Sequence, residues 1–385
     1  ALLAHITQAA NMFRGLGVGP MGGVAAFLTP TLPELPALLL GAQVAGVAGS
    51  LNCLLSADAI FDLLNAMGAT VLIVPARHLD EDCGLKAHDV FDHVHSLERI
   101  LVIGGETDTG QTTSLATALY GHSDQDLAFA PTKDRDAVCA MFHTGGTTGR
   151  PKLVQLTHGN QIHAAFGFGQ VFAYDQTDTV INGFPFFHVG GTMTVGLAVL
   201  AAGGHVVVPS PYGLRPPEVI ANYWSIVREH GATVIGGVPT SIAAITESWS
   251  GEADMPPIRL AATGGAVCPA AVSQRFSETT GIALLETYGM TETAAAIAFN
   301  PARGQSLAGS VGFRSPYSQT RIWRLDPENP GPYEPEEPGW VQVRGPQVFP
   351  GDLDAAQRER MKEIANKCPV HKVLHAGSDV ITVLA

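Results

Sequence analysis

Helical segments alternate with short runs of β-branched residues along most of this 385-residue chain. A clear example begins at Ser56, which suits a helix N-cap, and ends at Gly68, with apolar residues on one helical face between them. The run Thr70–Val74 follows at once and predicts a buried strand. Because this alternation repeats, we expect an α/β fold with parallel sheets flanked by helices.

The same periodicity predicts the other elements. Helices are expected over 1–14, 158–170, 190–202 and 219–230, and strands over 24–28, 99–103, 137–141, 178–183, 206–208 and 233–235. Residues 104–136 are polar and predict a connection between elements. Short strands between Pro and Gly turns around 305–345 predict a smaller β-rich subdomain.

Composition narrows the class of protein. Hydrophobic residues make up 46% and charged residues 15%, which is typical of a well-buried globular chain. The net charge of −13 without a basic stripe argues against a nucleic-acid partner. Five widely spaced cysteines without a CxxC pair favour a reducing compartment and give no zinc signature.

The ends and apolar runs bear on localisation. The chain begins at Ala1 inside a predicted helix, so we expect the native N-terminus to lie further upstream. We expect no signal peptide, and the longest weakly polar run, residues 36–51, is too short to span a bilayer. The expected location is therefore cytoplasmic, with no transmembrane segment.

A loop rich in donors follows the predicted strand at 137–141. It contains the residues Thr144, Gly145, Gly146, Thr147, Thr148, Gly149 and Lys152. Glycines let a backbone approach an anion, hydroxyls and amides donate to its oxygens, and lysine neutralises its charge, so the loop predicts a polyphosphate site. It is not a Walker loop, because Gly149 is followed by Arg150–Pro151. The alternative is an ordinary Gly/Thr surface loop.

This loop resembles the phosphate loop of the adenylate-forming (ANL) superfamily, which includes acyl-CoA synthetases, luciferases and the adenylation domains of peptide synthetases. That family reads [ST]-SGTTG-x-PKG, so Gly145 replaces a serine and Leu153 a glycine. Four later segments resemble family motifs in the expected order, namely residues 184–191 (FPxFHxxG), 262–266 (SGGAP), 288–292 (YGxTE) and 340–346 (GELxVRGP).

The resemblance implies a role for each matched residue. The loop with Lys152 would hold the β- and γ-phosphates of ATP, Thr291 would donate to the α-phosphate, and Glu292 would bind Mg²⁺. His188 would flank the carboxylate end of the substrate pocket, so His188, Thr291 and Glu292 form the expected catalytic set. The expected adenine-side residues are Gly264, Gly265, Ala266, Tyr288 and Gly289.

Each of these residues has a simpler interpretation when taken alone. His188 and Tyr288 could be packed core residues, and Glu292 could be a solvated acid that complements a helix dipole. The joint occurrence of the motifs in order favours the site. Amino-acid-activating members of the superfamily carry an aspartate where Phe187–His188 stands, so the resemblance implies a fatty or aryl acid without an α-amine.

The resemblance covers residues 1–353, interpreted as an AMP-binding domain truncated at both ends. After Gly351 the family continues to a TGD segment and a C-terminal lid domain carrying a lysine, and we expect that lid to be missing. Residues 354–385 instead resemble the end of OsmC-like peroxide-reducing proteins, with Cys368 at the second cysteine of that family. Fusion, misassembly and truncation near 352–356 all remain open.

The sequence therefore predicts an acid–thiol ligase. It would use ATP, Mg²⁺ and coenzyme A to convert a carboxylic acid into acyl-AMP and then acyl-CoA, with activity expected to be impaired without the lid. The alternative is a nucleotide-binding remnant without efficient catalysis. A third hypothesis, a thiol peroxidase, depends on the tail alone.

Overall fold

A computed structural model describes residues 1–20, 22–106, 110–144, 152–249, 251, 254–303, 306–307, 309–323, 339–350 and 382–384. The chain divides into two compact units. The first contains residues 1–159 and 186–188, and the second contains 160–185 and 189–385. The α/β class predicted from the sequence is confirmed, because each unit has its own largely parallel sheet flanked by helices.

The first unit is built on seven strands in the order β5-β4-β3-β1-β2-β6-β7. They are β1 (Val24–Phe27), β2 (Val47–Ser50), β3 (Ala69–Pro75), β4 (Arg99–Ile103), β5 (Thr112–Ser114), β6 (Val138–His143) and β7 (Leu153–Thr157). All neighbours are parallel except β6 and β7. The helices are α1 (Leu2–Gly15), α2 (Leu35–Ala45), α3 (Ala57–Met67), α4 (Glu81–Lys86), α5 (Val90–His93) and α6 (Leu115–Leu119).

Helix α3 shows how the local sequence fixes an element here. The Ser56 hydroxyl accepts a hydrogen bond from the Ala59 N–H at 3.4 Å, and Gly68 ends the helix in the left-handed region at φ 63°. The apolar face of α3 packs into one buried cluster with β1 and β3. The predicted cap, face and stop are all confirmed.

The second unit has a seven-stranded sheet in the order β14-β13-β12-β11-β10-β8-β9. Its strands are β8 (Thr179–Ile181), β9 (His205–Val207), β10 (Val234–Gly237), β11 (Leu260–Thr263), β12 (Leu284–Met290), β13 (Ala295–Phe299) and β14 (Phe313–Arg314). The helices are α7 (His158–Phe172), α8 (Ala198–Ala201), α9 (Pro217–Ala221), α10 (Tyr223–Glu229), α11 (Pro239–Glu247) and α12 (Ala270–Thr280). The pairs β12–β13 and β13–β14 are antiparallel.

A buried ion pair joins β8 to β11 at one end of this sheet. The Asp178 side chain is 2% exposed and accepts hydrogen bonds from Arg259 Nε at 2.7 Å, Thr233 Oγ1 at 2.7 Å and the Asp175 N–H at 3.0 Å. Arg259 Nη2 donates to the second carboxylate oxygen, and its Nη1 donates to the Phe172 carbonyl. Asp178 thus links three segments that are distant in sequence.

The predicted β-rich subdomain is confirmed as a three-stranded sheet in the order β15-β16-β17. It contains β15 (Gln319–Trp323), β16 (Trp340–Arg344) and β17 (Thr382–Leu384), with β15 antiparallel and β17 parallel to β16. The domain boundary predicted at 353 lies outside the described residues. So does the predicted tail over 354–385, apart from β17.

Three predicted elements need correction. The polar connection at 104–136 contains β5 and α6, and the Ser114 hydroxyl caps α6 by accepting the Thr117 N–H at 3.1 Å. The helix predicted over 190–202 is π-helical over Gly190–Leu197 before α8 begins. The helix predicted over 219–230 is split at Asn222. Within the described parts of the chain, no helix combines the length and apolar character needed to cross a membrane.

Candidate active site

The first unit holds both ends of the predicted phosphate loop. The loop connects β6 to β7, and the Thr144 N–H donates to the Lys152 carbonyl at 2.9 Å. This bond closes the β6–β7 hairpin at the base of the loop, with Thr144 at one end of the loop and Lys152 at the other. The loop residues Gly145, Gly146, Thr147, Thr148 and Gly149 lie outside the described residues.

A histidine directly precedes this loop, and the sequence reasoning did not single it out. His143 Nε2 accepts a hydrogen bond from the Asn52 N–H at 3.0 Å, so the neutral ring carries its proton on Nδ1. Burial lowers the pKa of His143 below its usual value. The ring stacks on Phe187 with a centroid distance of 6.2 Å and an interplanar angle of 18°. The sequence feature that could have identified His143 is its position directly before Thr144, the first residue of the predicted phosphate loop.

His188 belongs to the same unit. Surrounding protein lowers the pKa of His188 to about 4, first through burial and then through the nearby His143. Both rings are therefore neutral at pH 7. The first unit thus brings His143, Phe187 and His188 together near the end of β6, where the loop begins.

The second unit places the predicted adenine turn beside the YGxTE segment. Strands β11 and β12 are parallel, and the Thr287 hydroxyl donates to the Thr263 carbonyl at 3.1 Å. A Cβ on Gly264 would lie 2.3 Å from Thr287 Oγ1, and Gly265 has a φ of 78°. Glycine is therefore required at both positions. Ligands of parallel α/β sheets bind at the carboxyl ends of strands, and this turn lies there.

The turn also leaves room for a ligand. Gly265 and Ala266 are exposed, and a Cβ on Gly265 would lie 3.7 Å from Val238 and 3.8 Å from Phe184, which is ordinary van der Waals distance. Tyr288 is half-buried at the end of β12. An exposed glycine turn beside a half-buried ring fits a flat base such as adenine.

Gly289 has a packing role in this structure. A Cβ on Gly289 would lie 2.0 Å from the Ala295 carbonyl oxygen and 2.3 Å from Ala296 Cα. Strand β13 therefore approaches β12 so closely that only glycine fits at this position. This contact accounts for the glycine whether or not Gly289 touches a nucleotide.

A single 3₁₀ turn, Thr291–Thr293, follows β12 and carries two of the three predicted catalytic residues. Thr291 is 8% exposed and Glu292 is half-buried. The buried Thr293 hydroxyl accepts the Met290 N–H at 3.2 Å and donates to the Ala295 carbonyl at 2.7 Å. These bonds fix the turn directly beyond Tyr288.

Magnesium does not require a preformed protein cage. The described residues contain no group of three His, Cys, Asp or Glu side chains that could hold a metal ion. Mg²⁺ is commonly bound through one or two carboxylates together with the phosphates of its substrate. The carboxylate of Glu292 fits that mode of binding.

These features define a nucleotide-binding α/β protein of the adenylate-forming class. Residues 1–351 match the family model described as AMP-binding enzyme, and the chain belongs to this family.

Curated relatives match over nearly the whole chain. Marinolic acid–CoA ligase of Pseudoalteromonas sp. (strain SANK 73390) is 28% identical over 93% of this chain and 55% of its own length. Feruloyl-CoA synthase of Amycolatopsis sp. is 29% identical over 91% of this chain and 65% of its own length. The chain thus spans between about half and two thirds of these relatives.

Solved structures share the fold. Benzoate CoA ligase from Burkholderia xenovorans LB400 superposes with a TM-score of 0.78 at 21% identity, over 93% of this chain and 68% of that one. ATP-bound MatB from Rhodopseudomonas palustris gives a TM-score of 0.74 at 25% identity, over 94% of this chain and 67% of that one.

Proposed function

We propose that this chain activates a carboxylic acid by adenylation. The carboxylate oxygen attacks the α-phosphate of ATP, and the bond to the β-phosphate breaks, which releases pyrophosphate and forms acyl-AMP. The thiol of coenzyme A then attacks the acyl carbon, loses its proton and displaces AMP. The family membership and the CoA-ligase relatives support this reaction class.

The observation that carries the proposal is the junction of β11 and β12. The Thr263–Thr287 hydrogen bond joins a glycine turn to the Tyr288–Glu292 segment at the carboxyl end of a parallel sheet. Two motifs that lie about twenty residues apart in sequence thereby form one continuous edge. That edge offers a ring surface, a hydroxyl and a carboxylate in the order needed by adenine, the α-phosphate and a metal ion.

Each side chain would contribute a specific interaction. Lys152 and the loop donors would neutralise the departing pyrophosphate, and the Thr291 hydroxyl would donate to the α-phosphate. Glu292 would hold Mg²⁺, and the ion would offset the negative charge of the phosphates. His188, neutral at pH 7, would meet the acid as a hydrogen-bonding group without adding a positive charge.

The substrate we propose is a fatty or aryl acid without an α-amine. No aspartate occurs between Phe184 and Val189 to pair with an ammonium group, and an unpaired buried ammonium is costly. The His143–Phe187 stack instead gives this part of the first unit an aromatic character. In a competition assay, aryl and fatty acyl sulfamates should displace ATP better than aminoacyl sulfamates. Stronger displacement by the aminoacyl compounds would contradict this substrate class.

The nucleotide site is tested with Lys152→Ala. Losing one charge-assisted contact should weaken ATP binding by about 1.5–3 kcal/mol, with less loss where solvent reaches the lysine, and leave AMP binding nearly unchanged. Calorimetry with both nucleotides measures this difference, and Lys133→Ala, elsewhere in the first unit, is the control. Equal losses for ATP and AMP would remove Lys152 from the β- and γ-phosphate site.

Turnover separates this proposal from the nucleotide-binding remnant. Pyrophosphate release is measured with ATP, Mg²⁺ and a panel of aryl and fatty acids, using the unmodified chain. We expect ATP binding together with slow, acid-dependent release. ATP binding with no acid-dependent release would favour the remnant.

A further inference from the structure

The turn that carries Thr291 and Glu292 joins β13 through two strained residues. Ala294 has a φ of 51° and Ala295 a φ of 118°, both in the region that favours glycine. Side chains other than glycine persist there only when the surrounding structure holds them in place. The surrounding contacts that hold this pair are therefore relevant to the candidate site.

Gln347 bridges the strained pair from outside. Its carboxamide is fully buried, and Nε2 donates to the Thr293 carbonyl at 3.2 Å and to the Ala296 carbonyl at 2.9 Å. These two carbonyls lie on either side of the alanine pair. Its Oε1 accepts a hydrogen bond from Ser318 Oγ at 3.3 Å, so the amide has partners at both ends.

The segment around Gln347 is itself anchored on both sides. Asn160 Nδ2 donates to the Pro346 carbonyl at 2.8 Å and to the Val348 carbonyl at 2.9 Å. On the other side, the Phe349 N–H donates to the Glu292 carbonyl at 2.9 Å. Residues 346–349 therefore connect helix α7 to the 3₁₀ turn, and the Gln347 side chain is the central link.

The strained pair also contacts the predicted adenine side. The Ala295 carbonyl packs against Gly289, next to Tyr288, at a distance that excludes any side chain. A change in the backbone of Ala295 would therefore disturb both Glu292 and Tyr288. This contact couples the conformation of the two halves of the candidate nucleotide edge.

We propose that Gln347 is a positioning residue for the Mg²⁺–nucleotide site. It holds the strained Ala294–Ala295 pair, and through it presents Thr291 and Glu292 to the phosphates and their metal ion. The inference rests on the proposed function. Position 347 requires a side chain that can donate two N–H groups to the carbonyls of Thr293 and Ala296. Neither methionine nor an ionised glutamate has such donors, so neither can replace glutamine here.

The test compares Gln347→Met with Asn11→Leu. Asn11 is a matched control because it is a buried amide in the first unit whose Nδ2 donates to the carbonyls of Ser123 and Asp126, both at 2.9 Å. Calorimetry measures ATP affinity with Mg²⁺ and with a chelator, and urea unfolding measures stability. Both variants should lose stability. Only Gln347→Met should reduce the enhancement of ATP affinity by Mg²⁺, by about tenfold.

Rescue and a milder variant complete the design. Ala295→Gly should restore part of the Mg²⁺ enhancement in the Gln347→Met background, because glycine adopts φ 118° without strain. If Gln347→Met does not fold, Ser318→Ala leaves the amide in place but removes its anchor. It should reduce the enhancement about two- to threefold.

Two results would overturn the inference in distinguishable ways. If the parent chain binds ATP with a clear Mg²⁺ enhancement and the folded Gln347 or Ser318 variants keep it, Gln347 has only a structural role. If the parent chain shows no Mg²⁺-dependent ATP binding, the proposed function fails, and this inference fails with it.

Discussion

Replacing Asp178 with asparagine tests whether the buried ion pair with Arg259 stabilises the second unit. The carboxylate accepts from two guanidinium nitrogens, one hydroxyl and one backbone N–H. An asparagine has a single acceptor oxygen, so about half of these four bonds are lost and its amide N–H₂ faces the donors of Arg259. Asp178→Asn should therefore destabilise the unit substantially.

The expected loss is about 3 kcal/mol. Breaking a buried pair by removing one partner costs about 3–5 kcal/mol, and we take the lower end because the Arg259 side chain is 34% exposed and solvent screens its charge. Tryptophan fluorescence during urea unfolding measures the loss selectively, because all four tryptophans lie in the second unit.

The control is Arg275→Ala, which removes an ion pair to Glu247 at 3.8 Å whose two side chains are 67% and 68% exposed. Such surface pairs contribute little, so we expect a loss under about 0.5 kcal/mol. A loss for Asp178→Asn as small as that of this control would refute the reasoning.

The pH dependence supplies an independent check. Burial alone would raise the pKa of Asp178, but the bonds from Arg259 and Thr233 outweigh it and leave the pKa below its usual value. The contribution of ionised Asp178 to the stability of the folded unit is therefore fully present above the unfolded pKa of about 3.9. It is lost as the pH falls through the pKa of Asp178 in the folded chain. The difference between the parent and Asp178→Asn should stay constant from neutral pH to about pH 5 and shrink in stronger acid.

Three further predictions address single side chains. Tyr223 is fully buried and its hydroxyl has no hydrogen-bond partner among the described residues, so Tyr223→Phe should raise the urea midpoint and stabilise the unit by about 1 kcal/mol; a destabilised variant would point to an unseen partner. His188 has a pKa lowered to about 4, so it takes up a proton at a lower pH in the folded chain than in the unfolded chain. The free energy of unfolding should therefore fall as the pH drops from about 6.5 toward 4. His188→Gln should remove about 2 kcal/mol of that fall, measured by circular dichroism at pH 7 and 4.5, and an unchanged slope would contradict the burial of the ring. Gly289→Ala should lower the free energy of unfolding by about 3 kcal/mol, because its Cβ would lie 2.0 Å from the Ala295 carbonyl oxygen. The control Gly169→Ala, in α7 with nothing within 4 Å, should raise it by about 0.5–1 kcal/mol. Similar changes for both variants in thermal unfolding would contradict the close approach of the two strands.

The sequence determined the fold class and the order of the elements that it predicted, but it did not predict α2, α11 or α12. Helix α3 is an example, since its cap at Ser56, its apolar face and its stop at Gly68 are all local features and all were predicted. The motifs of the candidate site were also readable, because phosphate and adenine binding require glycines and hydroxyls at short fixed spacings. Elements below about two turns, such as α6 over Leu115–Leu119, were missed because so few residues carry too little periodicity to detect.

The tertiary structure decided which contacts hold the site. Gln347 directly follows the motif at 340–346 and was not singled out from the sequence, yet its amide bridges two carbonyls more than fifty positions earlier in the chain. Glycine is required at position 289 because β13 packs against it, and the tautomer of His143 is set by the backbone N–H of Asn52. Both contacts form only in the folded chain. A sequence pattern records spacing along the chain, whereas the hydrogen bonds and close approaches that fix Thr291 and Glu292 join residues far apart in it. Those long-range contacts could be seen only in the folded structure.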